Sequence, residues 1–175
     1  ALIASVQADA DALHALRELH DRAASEEGCL VHGDLRQANV VRTSAAGRPR
    51  VVFLDWELSC WGDPARDVGS LCADYALGWL CPMSEAEALG EAALRRFLRS
   101  FLAGHRAART DRLFVDPDFE RRTLQWAGEA LLRYAFTLTC EEGRFDERGE
   151  RLTTWGKELL ARPERWLGPL LGAQA

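Results

Sequence analysis

From Ala4 to about Ser25 the apolar residues Val6, Leu13, Leu16 and Leu19 recur near one face while charges take the other. That spacing predicts an amphipathic helix, closed by Glu26-Glu27-Gly28. The pattern then changes period. Short runs rich in β-branched residues, Cys29–Val31, Asn39–Arg42 and Arg50–Leu54, predict buried strands. The last two flank a polar turn over Thr43–Pro49 and predict a hairpin. After Val68 the period returns to helical, with helices predicted over Val68–Leu80, Ser84–Leu102, from Asp116-Pro117 through Leu138, and over Glu147–Ala161. Ser84 with Glu87 is a capping box, Pro117 suits a first helical turn, and Pro163 ends the last helix. The fold class read from this pattern is α+β and mostly helical, with a small β-hairpin. No repeat, low-complexity linker or second domain interrupts residues 1–175.

Candidate chemistry gathers between Val31 and Leu71. The run His32-Gly33-Asp34-Leu35-Arg36-Gln37-Ala38-Asn39 precedes the first hairpin strand, and Leu54-Asp55-Trp56-Glu57 follows the second. The hairpin register carries Asn39 and Asp55 to the same end. Phosphoryl transfer needs a carboxylate near the attacking hydroxyl and oxygen ligands for Mg2+ beside the phosphates. Asp34 suits the first task. Asn39 and Asp55 suit the second, because Mg2+ takes one or two carboxylates plus waters. Arg36 offers a fork of donors to a phosphate oxygen. His32 is either a base, since imidazole titrates near neutrality, or a structural residue of the loop. Glu57 is either a further contact to the metal or its water, or a solvated charge.

Composition narrows the class. A net charge of −5 over 175 residues argues against a general nucleic-acid or acidic-membrane binder. No apolar run is long enough to span a bilayer. Five cysteines, odd in number and without a Cys-x-x-Cys pair, fit a reduced, cytoplasmic protein better than a disulfide frame or a zinc site.

His-Gly-Asp-Leu-x-x-x-Asn, then Leu-Asp-Trp-Glu, then Gly62-Asp63-Pro64-Ala65-Arg66-Asp67 resembles the aminoglycoside phosphotransferase and choline kinase group, whose fold is protein-kinase-like. The resemblance implies a C-terminal kinase lobe, with residues 1–82 as the catalytic-loop and metal-binding core and 83–175 as a helical subdomain. It implies that Asp67 ties the catalytic loop down from below and that His32 braces it. It also implies transfer of the γ-phosphate of ATP, or GTP, with Mg2+ to a hydroxyl. The acceptor would be a small molecule such as an aminoglycoside or amino alcohol, or a peptide Ser or Thr.

Kinases of this type hold the nucleotide's phosphates with a lysine on an N-terminal strand. Lys157 is the only lysine here, and no glycine-rich phosphate loop is present. The N-terminal nucleotide-binding lobe is therefore expected to be absent from this sequence, supplied by the same natural chain or a separate subunit. The rival reading is a non-catalytic kinase-like module that acts by binding a partner protein. A metal-dependent hydrolase is weak, for want of a His/Asp cluster able to hold two metals.

Overall fold

The computed structural model describes residues 2–25, 28–82, 90–108 and 118–168. The Ser84/Glu87 capping box and the Asp116-Pro117 helix start lie outside the described residues. The architecture is the expected one, mostly helical with small antiparallel sheets. Helices α1 (Leu2–Gln7) and α2 (Ala10–Ser25) lead into β1 (Cys29–Val31). A 3₁₀ turn over Gln37–Asn39 opens the hairpin of β2 (Val40–Ala45) and β3 (Arg48–Phe53). A second 3₁₀ turn, Trp56–Leu58, precedes β4 (Cys60–Gly62). Then come α3 (Pro64–Leu80), α4 (Glu91–Ala108), α5 (Phe119–Glu142), α6 (Glu147–Ala161) and the short α7 (Glu164–Trp166).

The predicted first helix is two. Asp9 breaks it, its side chain accepting the backbone N–H of Ala12 at 3.1 Å and so starting α2. The hairpin is longer than predicted, because its turn shrinks to Ala46-Gly47, both at positive φ (51° and 75°). Such a two-residue turn matches the twist of the flanking strands. β4 was not expected. Three residues beside a Gly-Asp-Pro turn give little periodicity, yet β4 pairs antiparallel with β1, setting Val31 opposite Cys60 and Cys29 opposite Gly62.

The core lies between the helices. Leu94, Leu98 and Leu102 of α4, Leu131 of α5 and Leu152 and Leu160 of α6 are buried together with Trp126. Helix α3 crosses α5 so closely that a Cβ on Gly69 would lie 2.6 Å from the Thr123 carbonyl oxygen. Gly128 and Gly156 let α5 and α6 approach equally closely, the former's Cβ position lying 2.6 Å from the Gly156 oxygen. These crossings need glycine for want of space, not for turn geometry.

The hairpin departs from expectation in its surroundings. Every residue of β3 is exposed, and so is most of β2. The buried strands predicted from the Val40–Leu54 runs are instead solvent-facing: Val51, Val52, Phe53 and Leu54 are exposed, together with Leu30, Trp56 and Leu58 nearby. Trp61 of β4 is 73% exposed. Apolar periodicity records that a strand is suited to being covered, not which element covers it.

The sole lysine is committed to the fold. Lys157 of α6 lies 3.5 Å from the Asp9 carboxylate and 3.4 Å from the Ser5 hydroxyl, pinning α6 to the α1–α2 junction.

Candidate active site

The segment from His32 to Asn39 leaves β1 and is held from three sides. Helix α3 starts on the Gly-Asp-Pro turn, with Asp63 capping it by accepting the Ala65 N–H at 3.0 Å and Pro64 in its first turn. One turn further, Asp67 accepts the backbone N–H of His32 at 2.6 Å and of Gly33 at 3.0 Å. Asp67 thus grips the loop from below by its main chain.

The second hold is His32 itself, which is buried. Its Nε2 lies 2.7 Å from the Leu54 carbonyl oxygen, which can only accept, so Nε2 carries the proton. Nδ1 is then the acceptor that faces the Asp34 N–H at 3.4 Å. The imidazole spends both nitrogens on backbone and packs tilted against Trp56, with ring centroids 4.7 Å apart. It braces the loop against the residue preceding Asp55.

Gly33 supplies the third. Its φ is +82°, and a Cβ there would sit 2.3 Å from the Leu58 carbonyl oxygen. No other residue fits that approach of the Asp34 loop to the Trp56–Leu58 turn.

Around Asp34 the polar atoms are divided. Asn39, buried, donates Nδ2 to the Asp34 carbonyl at 2.9 Å and to Oδ2 of its side chain at 3.2 Å. Arg36 places Nε 3.2 Å from the same Oδ2. Oδ2 is anchored by both neighbours, which leaves Oδ1 as the oxygen for an incoming proton donor. The Asn39 nitrogen is committed to Asp34, so its amide oxygen is the atom offered to a cation. Arg36 was expected to face a phosphate; here its Nε faces Asp34, with the two terminal nitrogens as its remaining fork.

Asp55 lies across the hairpin end. The Leu54 N–H donates to the Asn39 carbonyl at 2.9 Å, extending the Val40–Phe53 pairing by one step, and Asp55 follows directly. Its backbone is left-handed (φ 66°, ψ 60°), an unusual state for a non-glycine residue that aspartate tolerates, and its side chain is exposed and makes no capping bond. Glu57 is exposed on the next turn. Among the described residues no three His, Cys, Asp or Glu side chains converge on a metal. A Mg2+ ion held by one carboxylate, one amide oxygen and the ligands of a nucleotide needs no such trio, and the donor set fits it.

Two partly buried carboxylates, Asp63 and Asp74, to which the sequence assigned no part in the site, support it. The Asp63 carboxylate receives Arg122 Nε at 2.9 Å and NH2 at 3.1 Å, and the Trp126 indole N–H at 2.9 Å. Burial opposes its ionisation, but the Arg122, Trp126 and Ala65 hydrogen bonds prevail and hold the carboxyl below the usual carboxylate range. Trp126 is thereby a core residue, not a platform for substrate. Asp74 of α3 accepts the Gln37 N–H at 2.7 Å and the Tyr134 hydroxyl at 3.3 Å. The signal for Asp74 was in the sequence: it stands seven residues after Asp67, on the same helical face.

Residues 2–109 match the phosphotransferase enzyme family. Among solved structures, an ethanolamine kinase from Plasmodium vivax is similar at 18% identity with a TM-score of 0.46, covering 87% of this chain and 39% of that one. The chain therefore spans 39% of the length of that kinase. No curated protein sequence matches it.

Proposed function

The chain belongs to the phosphotransferase enzyme family, and from that membership we propose that the protein moves the γ-phosphate of ATP, or GTP, to a hydroxyl group. The acceptor is a small molecule such as an aminoglycoside or amino alcohol, with a peptide Ser or Thr as the other candidate. The observation that carries this reading is the Asp34–Asn39 bond beside Asp55 at one end of the hairpin.

Asp34 is the base in this scheme. Its Oδ1 orients the acceptor hydroxyl and takes its proton as the acceptor oxygen bonds to the γ-phosphorus and the bond to the β–γ bridging oxygen breaks. Asn39 and Asp55 would hold a Mg2+ ion, which would supply neutralisation of the phosphate oxygens. Arg36 keeps Nε on Asp34 and presents its terminal nitrogens to a phosphate oxygen. Asp67 and His32 position the loop, and Glu57 stands near enough in sequence to serve a metal-bound water.

The exposed apolar belt of Val51, Phe53, Leu54, Leu58 and Trp61 supports a covering lobe or subunit, since patches of this kind mark interaction surfaces. A nucleotide-binding lobe, in the same natural chain or on a partner, fits that place. The second reading, a kinase-like module that binds without catalysis, is favoured by the commitment of Lys157 to the α1–α2 junction, since residues 1–175 carry no second lysine to steady the phosphates.

The test is to express the natural gene in full and supply γ-labelled ATP or GTP, Mg2+ and a panel of amino alcohols, aminoglycosides and Ser/Thr peptides. Label transfer to one acceptor class is the expected result. Nucleotide binding with no transfer to any of them would favour the binding module.

A further inference from the structure

The 3₁₀ turn Gln37–Asn39 has no local cap. Arg36 occupies the capping position with extended backbone (φ −144°, ψ 165°) and makes no side-chain capping bond. The acceptor comes instead from a residue 37 positions away, as Asp74 Oδ2 takes the Gln37 N–H at 2.7 Å. The other oxygen, Oδ1, takes the Tyr134 hydroxyl from α5 at 3.3 Å. One carboxylate is thus shared between the loop and the helical subdomain, one oxygen each.

Position gives this contact its meaning. Asp67 and Asp74 are two helical turns apart on α3, about 10 Å along its axis. Asp67 holds His32 and Gly33, and Asp74 holds Gln37. Asp34 lies between the two grips, and Asn39 lies two residues past the second. We propose that Asp74 is a positioning residue that fixes the Asp34–Asn39 segment, with the Tyr134 hydroxyl setting the orientation of its carboxylate.

The Tyr134 phenol suits a permanent donor. Burial raises its pKa, and the nearby Asp74 and Asp34 charges act in the same direction, so it stays protonated across the working range. A donor that never ionises gives Asp74 a fixed rotamer rather than a switch.

The kinetic arm of the test rests on the phosphotransfer reading, whereas a second arm does not. In the full natural protein, Asp74→Ala should speed hydrogen exchange of the amides at 35–39 about tenfold or more, as loss of a charged hydrogen bond does. Exchange in α6 should stay unchanged. Asp74→Asn should restore most protection, since its amide oxygen can still accept the Gln37 N–H. On activity, Asp74→Ala should lower kcat about tenfold to a hundredfold with nucleotide KM nearly constant. Asp74→Asn should recover most of that loss, and Tyr134→Phe should fall between the two. Unchanged exchange at 35–39 in Asp74→Ala would overturn the proposal, as would Asp74→Asn exchanging as fast as Asp74→Ala. Absent turnover in the wild type, with the exchange pattern as expected, would refute phosphotransfer and leave the positioning role standing.

Discussion

Asn39 donates its side-chain amide to Asp34 twice, at 2.9 Å to the carbonyl and 3.2 Å to Oδ2. The bond ties the amide proposed to face the metal to the carboxylate proposed as the base, five residues away. It sorts the atoms of both: nitrogen of Asn39 and Oδ2 of Asp34 inward, amide oxygen and Oδ1 outward. Asp34→Asn keeps the size of the side chain and removes the proposed base. Turnover by the full natural enzyme should fall by about a hundredfold to ten-thousandfold, while nucleotide binding by calorimetry stays near wild type. Turnover like that of the wild type would remove Asp34 from the mechanism.

Asp55 is exposed and makes no capping bond, so its removal costs the fold little. Asp55→Ala should abolish the Mg2+ dependence of nucleotide binding without lowering the melting temperature by more than a few degrees. Titration of nucleotide at several Mg2+ concentrations reads this directly. An unaltered Mg2+ dependence would mean that the ion sits elsewhere.

Arg122 and Asp63 are both nearly inaccessible, at 5% and 9% side-chain exposure. Arg122→Ala leaves a buried carboxylate without its cation and should cost about 3–5 kcal/mol of stability, read by urea unfolding. A loss below 1 kcal/mol would indicate that water replaces the guanidinium.

The same carboxylate makes a pH prediction. Its folded pKa lies below the unfolded value of about 3.9. Between the two values the unfolded chain binds the extra proton, so stability rises with pH across that window. The contribution is complete above about pH 5 and is lost as pH falls through the folded pKa. Asp63→Asn should therefore flatten the acid limb of the stability curve below about pH 4. A mutant curve parallel to that of the wild type would assign the acid sensitivity to other carboxylates.

Gly69 has no room for a methyl group, with backbone atoms of α5 at 2.6 and 2.8 Å from the position of its Cβ. Gly69→Ala should push α3 off α5 and cost about 1–3 kcal/mol. Because α3 carries Asp67 and Asp74, turnover should fall along with thermal stability. A stable, fully active variant would show that the two helices separate without moving the loop.

Much of this was legible in the sequence, and for identifiable reasons. Asp34, Asn39 and Asp55 stand at turns beside apolar runs, and turns at strand ends are marked locally by residue type. Asp67 could be placed only through the family resemblance, since nothing local says that a helix carboxylate reaches back 35 residues to His32. Arg122 was illegible: a buried arginine reads as a solvated one until Asp63 and Trp126 are brought to it by the fold. The split at Asp9 was missed because Val6 and Leu13 share one helical face whether or not the backbone is continuous. The exposure of β3 was missed because hydrophobic runs carry no information about their neighbours in space.

The grips on the loop at His32, Gly33 and Gln37 all fall on main-chain N–H groups. A main-chain donor is present in nineteen of the twenty amino acids, so Asp67 and Asp74 are blind to the side chains they hold. Gln37 can therefore drift through nearly any residue except proline without loosening the segment, whereas each aspartate has few substitutes. At Gln37 the suspension is indifferent to the side chain it holds, and the constraint is displaced onto Asp74 of α3.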